Sequence, residues 1–342
     1  MRYIDLGASG WKTSALGFGC SAVMGRVGRK QSLRALSEAY DAGITFFDTA
    51  RSYGYGESEA LVGEFLQNRR DRVILSTKFG IVPVQQRGWK RSLMPVIRAT
   101  VDIVPSVRKL IRRQVKAQFK ENQLTRVELR RSLEESLRKL RSHYIDILFL
   151  HSPSVYVLAQ SDLLEDLEKL VESGKIRAVG ISAEPEVITA ALKAKTAPLT
   201  SMQFPVNLFD LSIMRHITAA QSRGLMFIAN HPFGGTDRLD KSRTRLGELA
   251  ASPEVSPELR GKLTSGDEGI LSEVILNLIV TDTGIQVVVP SMMKVRHLRA
   301  NVQAISNCRF TREELAWIRC NLAQTSTDGV LVKNNNRVPA SL

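Results

Sequence analysis

Eight short runs rich in aliphatic and β-branched residues recur along this chain, and between most of them the apolar residues change to three-and-four spacing. The runs are Ala15–Cys20, Thr45–Phe47, Val73–Thr77, Ile145–Leu150, Ala178–Ile181, Ser201–Phe204, Met226–Ala229 and Gln286–Val289. The helical patterns cover Ser32–Tyr40, Ser58–Gln67, Arg126–Leu140, Asp162–Val171, Pro185–Ala194 and Ser272–Ile279. A helix between two strands carries the chain back to the end where the first strand began, so successive strands lie parallel. Repeated through eight strands, this pattern predicts an α/β fold with the sheet closed on itself, a (β/α)8 or TIM barrel.

The turn residues agree with that count. Gly43, Gly174 and Gly224 each follow a helical pattern, where a left-handed residue ends the helix before the next strand. Tyr3–Gly7 with Ala8–Trp11 reads as a small hairpin ahead of the first strand, placed to plug the amino-terminal end of the barrel. Two connections are long, Gly80–Thr125 after the third strand and Asn230 to about Asp267 after the seventh. The first has a helical pattern of its own over Ser106–Val115, and both leave the rim where barrels build their pockets. A last helix, Arg312–Leu322, leads into a polar tail, so the expected organisation is one barrel domain over 1–342 with a carboxyl-terminal helix and tail from about residue 311.

Composition limits the class of protein. Hydrophobic residues make up 43% and charged residues 24% of the chain, the balance of a globular protein with a sizeable core. The amino terminus has no signal-peptide pattern and no stretch approaches the length of a membrane span, so a cytoplasmic location is expected. Cys20, Cys308 and Cys320 have no paired spacing and no adjacent histidine cluster, which predicts reduced thiols and no metal site. Much of the net charge of +14 falls between Gln85 and Lys120, where Arg87, Lys90, Arg91, Arg98, Arg108, Lys109, Arg112, Arg113, Lys116 and Lys120 face only Asp102. This insertion, about residues 83–124, is either a solvated basic segment or a contact for an anionic surface or a protein. No nucleic-acid-reading motif accompanies it, so no nucleic-acid partner is expected. The sequence leaves the oligomeric state open.

Three ionisable residues stand at the carboxyl ends of predicted strands: Asp48, Lys78 and His151. Tyr53 follows Asp48 by five positions. A barrel enzyme collects its chemistry at that end of its strands. Taken singly, each residue has a structural reading: a capping carboxylate, a surface lysine, a hydrogen-bonded histidine, a packed tyrosine. Together they have a chemical one. An ammonium beside a phenol favours the phenolate and is expected to lower the tyrosine pKa, a carboxylate anchors the ammonium, and an imidazole holds a carbonyl oxygen toward the phenol.

The segments Phe47-Asp48-Thr49-Ala50-Arg51-Ser52-Tyr53-Gly54, Ser76-Thr77-Lys78 and Leu150-His151-Ser152-Pro153 resemble the aldo-keto reductase superfamily, with its Asp, Tyr, Lys and His in order and at matching spacing. That resemblance implies an NADPH-dependent reductase of a small aldehyde or ketone, or the reverse oxidation, with Tyr53 as general acid/base. It also implies cofactor contacts at Gly19 and Cys20 of the first strand's turn, at Asp48, at Ser182 and Gln203 for the nicotinamide amide, and at Asn230 and Phe233 after strand seven. Ser291, Arg296, His297 and Asn301 would hold the adenosine phosphate, with Lys294 and Arg299 adding positive charge for a 2′-phosphate. The chain departs from the family pattern where Ala183 replaces an Asn, Asn230 an aromatic residue that stacks on the nicotinamide, and Ala300 a carboxylate. Those departures and the basic insertion motivate an alternative, an NADPH-binding sensor or partner-binding module with little turnover. His231 is a phosphate-side contact or a second acid. Trp89 and Tyr156 are pocket walls or simple packing.

Overall fold

A computed structural model of the chain describes residues 1–25, 27–83, 119–120, 123–267 and 269–323. The basic insertion, apart from its first and last few residues, lies outside the described residues, as do its Ser106–Val115 pattern, Trp89 and the tail beyond residue 323.

Parallel strands β3 (Gly17–Gly19), β4 (Phe46–Asp48), β5 (Ile74–Phe79), β8 (Ile145–His151), β9 (Ile176–Ser182), β10 (Leu199–Pro205), β11 (Met226–Asn230) and β12 (Val287–Val289) are hydrogen-bonded in that order. The ring closes through a parallel bridge between Leu16 and Val288, with Val288 N donating to Ala15 O at 2.9 Å and Gly19 N to Pro290 O at 2.9 Å. The eight predicted strands are thus the eight staves of a (β/α)8 barrel. Short edge ribbons complete the strands: β1 (Tyr3–Asp5) pairs with β2 (Lys12–Ser14), and β6 (Val82–Pro83) with β7 (Phe119–Lys120), both antiparallel.

Helices α1 (Arg29–Asp41), α2 (Ser58–Phe65), α3 (Arg126–Leu140), α4 (Ser161–Glu172), α5 (Pro185–Ala194), α6 (Met214–Ala220) and α9 (Ile270–Val280) belong to the helical layer. Two further helices, α7 (Thr236–Ala251) and α8 (Pro257–Leu263), occupy the long connection after β11, and α10 (Val295–Ser306) and α11 (Arg312–Ala323) follow the barrel. Their ends have local causes. α3 starts at Thr125, whose side chain accepts from Glu128 N, and α5 starts at Pro185, whose fixed φ suits the first helical position. Gly43, Gly174 and Gly224 have φ of 88°, 71° and 68°, the left-handed endings expected of them. Arg141 and Lys195 end α3 and α5 in the same conformation with side chains present, which the glycine pattern does not anticipate.

Alternation along the strands sorts the core into two compartments. Phe47, Leu75, Leu148, Val179, Met202, Phe227 and Val288 point outward into the apolar layer beneath the helices. Phe46, Ile74, Ile147, Phe149, Ala178, Met226, Ile228, Val287 and Val289 point inward and fill the barrel. Leu6, from the turn of the amino-terminal hairpin, is fully buried with this inner set, and Ala8 N donates to Gly224 O at 2.8 Å. The hairpin therefore plugs the amino-terminal mouth. Leu6→Ala is expected to lower stability by about 2–5 kcal/mol, since the cavity lies against a closed ring of strands that cannot collapse into it. Urea unfolding measures this, and a loss under about 1 kcal/mol would mean that the hairpin only rests on the barrel.

Candidate active site

The inward register that fills the barrel with Phe46, Ile74, Ile147, Ala178 and Met226 carries polar residues one or two steps later toward the strand ends. Asp48 follows Phe46, and Ser76 and Lys78 follow Ile74. His151 follows Ile147 and Phe149, Ser182 follows Ala178, and Asn230 follows Met226 and Ile228. Inter-strand pairing then sets the neighbours: Gly19 lies opposite Asp48, Asp48 opposite Ser76, His151 opposite Ser182, and Ser182 opposite Gln203. Residues far apart in the chain meet on one rim because their strands share a register.

At the centre is a dry ion pair. Lys78 Nζ donates to both carboxylate oxygens of Asp48 at 2.6 Å and to Thr49 O at 3.0 Å, with Lys78 1% and Asp48 3% exposed. Asp48 Oδ1 also accepts from Ser76 Oγ at 2.7 Å and from Gln203 Nε2 at 3.0 Å, and Gln203 Oε1 accepts from Ser182 Oγ at 2.7 Å. This continuous chain joins the Asp48–Lys78 pair to Ser182 and Gln203. Ser76 escaped the sequence reading, although its place two residues before Lys78 on one strand puts it on the same face.

The Tyr53 ring stands beside this pair, its centroid 5.0 Å from Lys78 Nζ. His151 meets it edge-on, with ring centroids 6.2 Å apart and planes at 88°. Burial pushes the Tyr53 phenol above its ordinary range, and the opposing pull of the Lys78 charge only partly offsets this. The expected lowering of the tyrosine pKa is therefore corrected: desolvation outweighs the ammonium, and the phenol carries its proton at neutral pH. Burial also works against the Lys78 charge, but Asp48 and Tyr53 more than reverse it and hold the ammonium above its usual value.

Burial, then the Lys78 charge, depresses His151 to about 3. Its Nδ1 is buried without a hydrogen-bond partner, a polar atom for which the described residues supply no complement. A neutral His151 has a measurable consequence. The unfolded chain takes up this proton near 6.5 and the folded chain only near 3, so stability falls as pH drops through that window. The slope from this group is at most about 1.4 kcal/mol per pH unit. NMR titration should find the His151 ring neutral from about pH 5 to about pH 8, and a midpoint near the ordinary histidine value would contradict its burial.

The other sequence candidates surround this centre. A Cβ on Gly19 would lie 3.2 Å from Pro290 O, so the bare backbone there leaves the first-strand turn tight against the end of β12. Cys20 is fully buried, its thiol near Phe18 O at 3.8 Å and pushed by burial above the ordinary thiol range, which suits packing and not nucleophilic chemistry. Asn230 Oδ1 pairs with His231 Nδ1 at 2.9 Å, and His231 has the unusual φ of 51°. Phe233 is half-buried against the outer core. Ser291, Arg296 and His297 are exposed around the start of α10, where Arg296 Nε faces His297 Nε2 at 3.3 Å, whereas Asn301 is buried at 2%. No side chain caps α10 at Lys294. That uncapped helix start, with exposed Lys294, Arg296 and Arg299, fits a phosphate-bearing group. The orphaned His151 nitrogen and the Ser182–Gln203–Asp48 chain fit a polar ring bound on the rim. Tyr156 is 76% exposed and lines a cavity of about 450 Å³ with Leu124, Arg126 and Gln160, which none of the residues of this polar centre lines.

Fold and rim together define a (β/α)8 barrel whose buried polar centre is suited to proton exchange with an oxygen atom. The chain belongs to the Aldo/keto reductase family, whose sequence model matches residues 15–320. It is 27% identical over 334 residues, covering 95% of this chain and 97% of the relative, to the "Uncharacterized oxidoreductase YqkF" of Bacillus subtilis. The fold is shared with the holo form of the aldo-keto reductase AKR11C1 from Bacillus halodurans, at a TM-score of 0.67 and 23% identity over 94% of this chain and 96% of that one. An aldo/keto reductase from Klebsiella pneumoniae in complex with NADP and acetate has a TM-score of 0.64 at 22% identity, with 94% of this chain and 95% of that one covered. No helix among the described residues is long and apolar enough to cross a membrane.

Proposed function

We propose that this chain reduces an aldehyde or ketone to an alcohol, or runs the reverse oxidation, with NADPH as its cofactor. The observation that carries the reading is the buried Asp48–Lys78 pair with the Tyr53 ring 5.0 Å from Lys78 Nζ and His151 edge-on to that ring. NADPH supplies the hydride when bound. Tyr53 gives its proton to the carbonyl oxygen as negative charge develops there, and the Lys78 ammonium stabilises the phenolate that remains. Asp48 holds Lys78 in place, and Ser76 and Gln203 hold Asp48. The neutral His151 donates to the same oxygen and turns it toward the phenol. In the oxidative direction the phenolate takes the alcohol proton.

Ser182 and Gln203 would hold the nicotinamide amide beside Gly19 and Cys20, with Asn230 and Phe233 bordering it. Ser291, Arg296, His297 and Asn301 would hold the adenosine phosphate, with Lys294 and Arg299 favouring a 2′-phosphate and so NADPH over NADH. The relative's bound NADP agrees with that preference. Titration with NADPH and NADH, followed by cofactor oxidation across a panel of aldehydes and ketones, tests the reading. Tighter NADPH binding with steady turnover supports it, whereas NADPH binding without turnover on any carbonyl would favour a cofactor-sensing module.

A further inference from the structure

The loop that carries Tyr53 is held in an unusual shape from several sides. Gly54, Tyr55 and Gly56 have consecutive φ values of 57°, 58° and 87°, so even the non-glycine residue stands in the left-handed region. A Cβ on Gly54 would fall 2.3 Å from Val23 O, which presses this turn against the loop after β3. Thr49 Oγ1 meets Ser58 Oγ at 3.0 Å, and Tyr53 N donates to Ala50 O at 3.1 Å. A loop of this shape relaxes unless its surroundings fix it.

Arg51, two residues before Tyr53, supplies the deepest anchor. Its side chain is only 2% exposed and runs into α3, where Nη1 pairs with Glu128 Oε1 at 2.6 Å and contacts Ser132 Oγ, and Nη2 pairs with Glu135. Ser132 Oγ donates onward to Glu128 at 2.7 Å. Lys139, one turn after Glu135, pairs with it at 2.8 Å and donates to Gly56 O at 3.2 Å, gripping the far side of the same loop. The helix therefore holds the loop on both sides of Tyr53. The guanidinium Nε is buried with no partner among the described residues, so this network is not an optimal source of stability, and an apolar side chain would fill the space without desolvating a charge.

We propose that Arg51 is a positioning residue for the reaction: anchored by Glu128, Ser132 and Glu135, it fixes the loop that presents the Tyr53 hydroxyl to substrate. This rests on the reading of Tyr53 as the acid/base. The geometry makes α3 the gauge of the phenol's position, although no atom of α3 enters the reaction.

The test combines kinetics with NMR of protein labelled at the tyrosine ring carbons, the Tyr53 signal being assigned by its absence in Tyr53→Phe. In Arg51→Gln, kcat is expected to fall about a hundred-fold, the scale of a displacement near one ångström, with NADPH affinity and carbonyl KM little changed. The Tyr53 signal shifts or splits, while that of Tyr144, at the opposite end of the barrel, stays in place. Added to Tyr53→Phe, Arg51→Gln causes no further loss, because Arg51 acts only through the phenol. Should Arg51→Gln fail to fold, Ser132→Ala, which deletes one contact, is expected to move the same signal in the same direction by less. An unmoved Tyr53 signal in the folded variant, or losses that multiply in the double variant, overturns the proposal. If the wild-type protein reduces no carbonyl, the reading of Tyr53 as acid falls, and the labelled signal still decides whether Arg51 holds the phenol.

Discussion

Tyr53→Phe is expected to cut carbonyl turnover by about a hundred- to ten-thousand-fold, the range for removal of a well-placed general acid. NADPH should bind as before. The substitution removes one oxygen and keeps the ring, so the edge-on contact with His151 and the packing beside Lys78 remain. Because burial keeps the phenol protonated, the loss in the reductive direction should hold across neutral pH. The oxidative direction needs the phenolate, so its wild-type rate should climb with pH through the alkaline range while the reductive rate declines. Rates in both directions across pH, with cofactor affinity from fluorescence titration, check this. Turnover within a few-fold of wild type in Tyr53→Phe would remove the phenol from the chemistry.

Asp48→Leu should produce the largest loss of stability at the rim, about 3–5 kcal/mol, because it strands the Lys78 ammonium inside the barrel. Both Asp48 oxygens lie 2.6 Å from Lys78 Nζ, and without them Thr49 O and the neighbouring Tyr53 hydroxyl would be left beside it among the described residues. With the carboxylate gone, burial acts on the lysine with little opposition and its pKa falls, so the variant should hold a neutral amine and lose activity as well. The double variant Asp48→Leu with Lys78→Met should recover most of the stability and none of the activity, since an apolar pair leaves no charge to desolvate. The sign of the pH dependence follows from the raised Lys78 value. The pair's contribution is full below about pH 10.5 and is lost as pH rises through the higher folded-state value. Urea unfolding of the four proteins closes the cycle, and additive losses would show that the pair is not coupled.

Much of this was legible in the sequence, for reasons particular residues make plain. The eight strands were readable because short runs of three to six residues alternate with helical patterns of period 3.6, as parallel strands require. Lys78 and His151 were readable because a polar residue ends an otherwise buried run, which in a barrel places it on the rim. The expected strands stopped a residue or two early: Asp48, Lys78, His151 and Ser182 are the last or nearly last members of β4, β5, β8 and β9, not residues beyond them. Ser76 passed unnoticed because a serine within a strand has no distinctive pattern; only the register opposite Asp48 gives it a partner.

The reading of the Tyr53 phenol failed on the strength of burial. The Tyr53 pKa was judged from its charged neighbour alone, and a sequence does not say how much water reaches a side chain. Arg51 has no role legible in the sequence, because its partners lie some eighty positions later, on α3, and pairing at that distance leaves no local trace. The sequence shows the segment of α7 and α8 after β11 only as a long connection, since its apolar positions are sparse and broken by Pro253 and Pro257.

The central claim is that this rim passes a hydride and a proton to a carbonyl group. NADPH deuterated at its transferable position, incubated with the protein and an aldehyde that it turns over, gives the most direct test. The account predicts deuterium on the carbinol carbon of the alcohol, with almost none formed by Tyr53→Phe. Bound NADPH that yields no labelled alcohol from any carbonyl, or equal labelling by the Tyr53→Phe protein, would contradict it.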